Sequence, residues 1–291
     1  MMEPAPLLLG IGAQKSATSW VHAVLGAHPD IAPSRPKEVD FYSYYFDRGY
    51  AWYDRHFEPR AGQTRFEVSP SYLHDPRAAR RARAHRPDTR VIALLRDPVE
   101  RAFSNHLHEV IKGHIPPVPF AEGLANNPAY VEQGFYARHL IRWMDAFPRG
   151  QICVLLAEEI AAEPLKAARR VYEFAGIAPD YLPPALHERR NESDRAAVPL
   201  LRSVLRAGGD AMRRGGLEPV LSRAKALGPV RALLKANSVD MRQEVPPMDA
   251  VSRARLDALF RDDLAQLARL LSRDSFPWGA WERQFGASET A

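Results

Sequence analysis

Cys153 is the only cysteine in the 291-residue chain, so no disulfide can form within it, and a reducing cytoplasm is the expected setting. It sits in QICVLLAEE, which reads as a core strand and predicts a buried, inert thiol. The ~18–20 consecutive apolar residues of a membrane-spanning helix are missing as well. The opening MMEPAPLLLGIG makes a poor secretory leader, because Glu3 stands where a basic region belongs and a short apolar run leads straight into glycine. Lysine is scarce, at six of forty basic residues, so the formal net charge of +5 rests on arginine. Arginine suits bidentate phosphate contacts, although any single one can equally be a solvated surface residue. No basic stripe interleaved with aromatics accompanies it, which argues against nucleic acid and for a smaller anion. No grouping of His, Cys, Asp and Glu has metal-ligand spacing, so no metal is expected.

Apolar residues make up 46% of the chain, enough for a sizeable core. Leu7–Ile11, Val91–Leu95 and Ile152–Leu156 are short continuous apolar runs of the kind buried on both faces of a sheet, and Glu67 in RFEVSPSY ends a fourth strand. Helical periodicity follows them over Ser16–Ala27, Pro98–Ile111 and about Ala161–Ala175. Strands alternating with helices predict an α/β fold with a parallel central sheet flanked by helices. In such sheets ligands bind beyond the carboxyl ends of the strands, where Lys15, Glu67 and Arg96 all fall. After about Ala178 the pattern turns to helices without strands, and Ser252–Ser272 is strongly periodic. The chain thus reads as one domain, 1–291, with an α/β core over about 1–180 and a helical part over about 181–291. Within the latter, 197–237 is basic, amphipathic and broken by Gly208-Gly209 and Gly215-Gly216; a mobile lid (over 197–247), a partner surface, a membrane-contacting helix and plain helical packing are all open.

The segment GIGAQKSATSW places Lys15 at a helix N-terminus, where unpaired N–H groups and the helix dipole favour phosphate. Lys15 adds a full charge, and Ser16, Thr18 and Ser19 add hydroxyls. A kinase-type loop, G-x-x-x-x-G-K-[ST], fails by one residue, because Lys15 occupies the position of the second glycine counted from Gly10. No acidic strand end for magnesium is evident either, so a small-molecule kinase is the disfavoured alternative. The G-x-G-x-x-G dinucleotide pattern also fails, since only Gly10 and Gly12 are present. Farther on, Val91–Leu95 runs into RDPVERAFSNHLHEV, where Asp97 can cap a helix that begins at Pro98. Arg96 and Ser104 can then converge on one anion, or Arg96 can pair with Asp97 or Glu100 while Ser104 faces solvent.

Both segments carry a resemblance. GAQKSATSW resembles the 5′-phosphosulfate loop of the sulfotransferases that use 3′-phosphoadenosine 5′-phosphosulfate (PAPS), G-x-x-K-[SG]-G-T-[TS], departing from it at Ala17, where the family has glycine. An alanine is tolerated there if its φ is negative. RDPVERAFS resembles the family's 3′-phosphate element, R-D-P-x-x-R-x-x-S, with Arg96, Asp97, Pro98, Arg101 and Ser104 at the family's spacing. HPDI, KEVDFYS, EVSPSY and GFYARHLIRWMDAFPRGQICVLLAEEI look like the carbohydrate-type members, including the heparan sulfate enzymes, so the resemblance covers roughly 5–180. It implies the P-loop-like sulfotransferase fold, PAPS as donor and 3′-phosphoadenosine 5′-phosphate (PAP) as product. By this resemblance Gln14, Lys15, Ser16, Ala17, Thr18 and Ser19 hold the 5′ end of the donor and Arg96 and Ser104 its 3′-phosphate. Arg189 and Arg190, in HERRNES, then close over the 3′ end, with a surface arginine pair as the alternative. The cysteine-bridged loop of the heparan enzymes cannot exist with Cys153 alone. A small cytoplasmic acceptor, a glycoside, lipid or natural product sulfated on a hydroxyl or amine, is therefore expected in preference to the polymer. A non-catalytic PAP-binding protein is the other alternative.

Sulfuryl transfer needs a base for the acceptor proton and positive charge on the sulfonate and the departing phosphate. Lys15 suits both charge roles. Glu38, in KEVDFY, matches the glutamate base of the heparan-type enzymes, against the bland reading of a loop carboxylate paired with Lys37 or Arg35. His108, one turn beyond Ser104, is the competing base, and its pKa range suits proton transfer near neutrality. Lys37, Phe41, Glu67 and Tyr72 are acceptor-side candidates, though Glu67 can equally orient the loop and the aromatics can be core. Nothing in the sequence sets an oligomeric state.

Overall fold

The computed structural model describes residues 5–186, 194–196, 238–240 and 245–286. The chain divides into two compact units, one of Met1–Asn105, Ala121–Arg190 and Met248–Ala291, the other of His106–Phe120 and Asn191–Pro247. In chain order the elements are β1 (Leu7–Gly12), α1 (Thr18–Gly26), β2 (Ile31–Pro33), α2 (Tyr50–Asp54), β3 (Thr64–Val68), α3 (Ala78–His85), β4 (Arg90–Leu95), α4 (Pro98–Lys112), α5 (Phe120–Asn126), α6 (Ala129–Glu132), α7 (Tyr136–Ala146), β5 (Ile152–Leu156), α8 (Ala157–Ala162), α9 (Pro164–Ala175), β6 (Asp194–Ala196), β7 (Ser238–Asp240), α10 (Ala250–Leu271) and α11 (Gly279–Phe285).

In the first unit five strands form one sheet in the order β2-β3-β1-β4-β5, and every pairing is parallel. The apolar runs explain this: β1, β4 and β5 have no polar face to offer water, so both faces must be covered. Leu8, Phe66, Val68, Ile92, Leu94 and Leu155 pack on one side with Val21, Val24 and Leu25 of α1 and Ala168, Val171 and Tyr172 of α9. Leu7, Leu9, Ile11, Val91, Ala93 and Leu95, on alternate positions, are equally buried. Each fully buried large aliphatic contributes roughly 1.5–3 kcal/mol, so this layer is the main stabilising element. Cys153 is buried in the same layer, and burial raises its thiol pKa, in keeping with an inert core thiol.

Chain order reverses at β1. The chain leaves β1 for β2 and β3 on one side, then crosses to β4 and β5 on the other. The carboxyl ends of β1 and β4 therefore flank the crevice where parallel sheets bind ligands. Gly12 makes the exit from β1 possible: its φ is +117°, and a Cβ there would lie 2.7 Å from the carbonyl oxygen of Pro70.

Three sequence expectations change. The first helix starts at Thr18, leaving Ser16 in the loop, because Ala17 takes a left-handed conformation. The span expected as one helix to Ala175 is two, α8 and α9: Glu163 leaves the helical region at φ −134° and ψ 67°, and Pro164 starts the next helix. The part after Ala178 is not free of strands, since β6 and β7 pair antiparallel within the second unit. In that unit the buried His106 has its Nε2 2.9 Å from the carbonyl oxygen of Val118 and its ring against Phe120. The long C-terminal helix α10 is capped by Asp249, whose carboxylate accepts from the Ser252 amide at 2.8 Å. Most of the segment read as a lid or as packed helices, 197–247, lies outside the described residues.

Candidate functional site

The loop between β1 and α1 is built by alternating backbone hand. Lys15 and Ala17 both have φ near +66°, while Ser16 between them does not. Such alternation turns successive N–H groups toward one side and makes a concavity suited to an anion. The condition under which an alanine is tolerated at position 17, a negative φ, is therefore not met. The carbonyl of Ala17 accepts the first helical bonds, from Trp20 N at 3.0 Å and Val21 N at 3.2 Å. Ala17, at the N-cap, makes no side-chain capping bond, and a helix N-terminus of this kind favours an anion. A 2.6 Å bond from Ala13 N to the carbonyl of Leu94 ties the loop to β4. Gln14, Lys15, Ala17 and Ser19 are half-buried, and Ser16 and Thr18 are buried.

The second motif meets the first. Arg96, at the end of β4, donates from Nη1 to the carbonyl oxygen of Lys15 at 3.4 Å. Its acidic neighbours are engaged elsewhere. Asp97 Oδ1 accepts from Val99 N at 2.8 Å and Glu100 N at 3.2 Å, the expected cap, and Oδ2 accepts from Ala280 N at 2.9 Å. Glu100 pairs with Arg253 at 2.7 Å. Arg101, the third motif position, is wholly buried and donates to the carbonyl of Tyr130 and to Gln133, so it braces the helix and meets no ligand. Ser104 is half-buried on α4, two turns beyond Arg96.

The Lys37–Glu38 segment, which follows β2, completes the site. Lys37 Nζ donates to Ser19 Oγ at 3.1 Å and to Glu38 Oε1 at 2.9 Å. One ammonium thus links the phosphate loop to the candidate base. The bland reading of Glu38 as a partner of Lys37 and the catalytic reading describe the same geometry, since the carboxylate side chain is still 45% exposed.

The acceptor-side candidates divide. Phe41, Glu67 and Tyr72 are each 0% exposed, so they form the wall and floor and none presents a surface to an acceptor. Phe41 stacks on Tyr53 with ring centroids 4.7 Å apart. Glu67 accepts from Tyr72 OH at 2.5 Å and Ser69 Oγ at 2.7 Å beneath the Glu38 segment, which is the loop-orienting alternative. Lys37 alone of the four is open to a ligand. His108, half-buried on α4, belongs to the second unit, whereas the constellation above is built from the first. Arg189 and Arg190 lie outside the described residues.

Sequence reasoning missed the layer behind the phosphate loop. The hydroxyls of Ser16 and Tyr136 are both buried, and neither has a hydrogen-bond partner of ordinary length among the described residues. Burial raises the Tyr136 phenol pKa, and the nearby Arg101 guanidinium is the main influence pulling the other way. Glu158, whose own pKa burial raises, accepts from Asp97 N at 3.1 Å and from Trp278 Nε1 at 2.8 Å. The polar tyrosine opening the apolar face of GFYARHL and the carboxylate directly after β5 were the available signals. Among the described residues there is no group of three His, Cys, Asp or Glu side chains able to hold a metal, and no helix is long and apolar enough to cross a membrane.

Comparison with known proteins bears on the family of the chain. The family model for the sulfotransferase domain matches residues 6–197. Bifunctional heparan sulfate N-deacetylase/N-sulfotransferase 3 of Homo sapiens is 27% identical over 303 residues, 96% of this chain and 31% of that protein. The chain therefore spans about a third of the length of that relative. Heparan sulfate glucosamine 3-O-sulfotransferase 3B1 of Mus musculus is 33% identical over 184 residues, 59% of this chain and 46% of that protein. Among solved structures, a sulfotransferase from Alicyclobacillus acidocaldarius superposes with a TM-score of 0.68 at 25% identity, covering 94% of this chain and 98% of that one. The match over 6–197, about two thirds of the chain, places it in the sulfotransferase domain family.

Proposed function

We propose that the chain transfers the sulfuryl group of PAPS to a hydroxyl, or less readily an amine, of a small-molecule, glycoside or lipid acceptor, releasing PAP. One observation carries the reading: Arg96 reaches the Lys15 carbonyl from β4 while Lys37 ties Ser19 to Glu38, so two anion-binding elements and a carboxylate share one crevice. A donor with phosphate at both its 5′ and 3′ ends suits such a pair better than a nucleoside triphosphate. The names of the curated relatives include both N- and O-sulfotransferases, which supports either acceptor atom.

In the proposed reaction a new bond forms from the acceptor oxygen to sulfur as the bond from sulfur to the bridging phosphate oxygen breaks. Glu38 takes the acceptor proton. The Lys15 loop and the N-terminus of α1 bear the charge that builds on the departing phosphate, and Lys37 stands where the sulfonate crosses from loop to base. Arg96 and Ser104 hold the 3′-phosphate. The chemistry asks for no metal.

The test is turnover with PAPS and a panel of hydroxyl-bearing glycosides, lipids and phenols, read as PAP release and as the sulfonate mass gain of the acceptor. Lys15→Ala is expected to abolish turnover without unfolding the protein, and near-normal activity in that variant sinks the mechanism. Glu38→Gln is expected to bind PAP normally yet lose turnover. Full activity there moves the base to His108.

A further inference from the structure

Glu67 is the penultimate residue of β3 and lies inside the protein, with no exposed surface. Its Oε1 accepts from Tyr72 OH at 2.5 Å and Tyr53 OH at 3.2 Å, and its Oε2 from Ser69 Oγ at 2.7 Å and the amide of Val39 at 3.4 Å. Two of those hydroxyls carry the contact onward. Ser69 Oγ accepts from the amide of Asp40 at 2.9 Å, and Tyr72 OH accepts from the amide of Phe41 at 2.8 Å. The three consecutive N–H groups after Glu38 therefore end on one carboxylate, the first directly and the other two through a single hydroxyl each.

The chemistry of the group matters as much as its position. An ionised carboxylate only accepts, and each hydroxyl has one proton to give. Once Ser69 and Tyr72 commit those protons to Glu67, their lone pairs are left for the backbone amides, so the whole relay has one sense and its bonds reinforce each other. An amide in the same place presents an NH2 group to one side and competes with a backbone N–H for the hydroxyl it meets. The segment needs such support, because Asp40 sits at φ +53°, a conformation a residue with a Cβ adopts only at a cost. Its carboxylate is fixed in turn by Ser71 Oγ at 2.5 Å, and its carbonyl accepts from Tyr44 N at 2.9 Å.

We propose that Glu67 is a positioning residue of the sulfuryl-transfer site, which meets no substrate and acts by fixing the backbone of residues 39–41 so that Glu38 is presented beside Lys37 and Ser19. The catalytic consequence rests on Glu38 being the base; the positioning itself does not. Burial pushes the Glu67 carboxyl up to about 7, so the carboxylate form prevails at a weakly alkaline pH, where the relay is to be tested.

Glu67→Gln is compared with the parent protein at a pH near 8 by amide hydrogen exchange, PAP binding and turnover. Exchange at Val39, Asp40 and Phe41 is expected to rise about tenfold or more while β1 is unchanged. Turnover is expected to fall about tenfold, with PAP affinity within about twofold of the parent. Unchanged exchange at the three amides overturns the proposal whatever Glu38→Gln does. Parent-like turnover of Glu67→Gln beside an inactive Glu38→Gln also overturns it and leaves the base assignment standing. A fully active Glu38→Gln overturns the base assignment alone, and exchange then decides the role of Glu67. If Glu67→Gln does not fold, two milder variants replace it. Tyr72→Phe is expected to release the Phe41 amide and Ser69→Ala the Asp40 amide, each selectively, and absence of that selectivity overturns the relay.

Discussion

Ala17 holds φ +66° with a Cβ, and alanine pays about 1–2 kcal/mol for that hand where glycine pays nothing. Part of this is offset, because alanine is stiffer in the unfolded chain and its methyl packs against the core beneath α1. Ala17→Gly is expected to raise stability by about 1 kcal/mol, read as a higher urea midpoint at unchanged slope. A lower midpoint would mean that the methyl contact outweighs the strain. Glu67 makes a second prediction, in which pH is the variable. Its pKa is raised from 4.5 to about 7 by burial, against the four hydrogen bonds that favour the charged form. Between those values the folded protein holds a proton that the unfolded chain has released. Stability from this group is therefore complete below about pH 4.5 and is lost as pH rises through about 7. The loss amounts to about 3 kcal/mol at 1.36 kcal/mol per pH unit. The neutral Glu67→Gln variant lacks this slope. Urea unfolding at pH 5 and pH 8 should thus show the parent losing more stability than the variant, and equal losses would place the carboxyl's pKa near its ordinary range.

At the scale of elements, Asp97 does more than start a helix. One carboxylate oxygen caps α4 through Val99 and Glu100, and the other holds the buried amide of Ala280 in α11, 183 residues away. Losing a cap costs about 1 kcal/mol, and an unpaired buried N–H about 1–3 more. Asp97→Ala is expected to cost about 2–4 kcal/mol and to loosen α11, measured by urea unfolding and by amide exchange at Ala280. If the exchange rate there is unchanged, the long-range bond is not what holds α11. The cap was legible in RDP because it depends on neighbours in sequence, whereas the Ala280 partner was not, because only tertiary folding brings it near. The same distinction runs through the site. Lys15 and Arg96 announced themselves as charged residues at strand ends, and Glu38 stood out only through the resemblance of KEVDFY to the heparan-type enzymes. Glu67 was legible at a strand end, but its relay was not, because the serine and tyrosine that follow it in RFEVSPSY look like any polar turn until burial removes their water. Phe41 and Tyr72 were misjudged for the same reason: an aromatic-rich loop reads alike whether its rings face a ligand or each other. The break at Pro164 was visible in sequence and was overridden by the apolar periodicity on either side of it.

At the scale of the molecule, the strand order makes the site possible. The β1 and β4 exits carry Lys15 and Arg96, the segment after β2 carries Lys37 and Glu38, and β3 carries Glu67 one residue before its end, so four adjacent strands deliver their carboxyl ends to one crevice. A ligand that bridges these exits ties together elements that are far apart in sequence and binds only the folded chain. At a hundred times its dissociation constant such a ligand adds about 2.7 kcal/mol. At about 2–4 °C per kcal/mol for chains of comparable size, PAP is expected to raise the melting temperature by roughly 5–10 °C. Adenosine 5′-monophosphate, which lacks the 3′-phosphate, should give less than about half that shift at the same concentration, since it forgoes charge-assisted contacts with Arg96. Lys15→Ala and Arg96→Ala should each reduce the PAP shift, and Arg96→Ala should bring the two nucleotides close to equal. The PAP shift should also shrink with added salt, because the half-buried guanidinium and ammonium are partly screened. Equal shifts for the two nucleotides on the parent protein would mean that Arg96 does not read the 3′-phosphate, and the crevice would then be a single-phosphate site with a different donor.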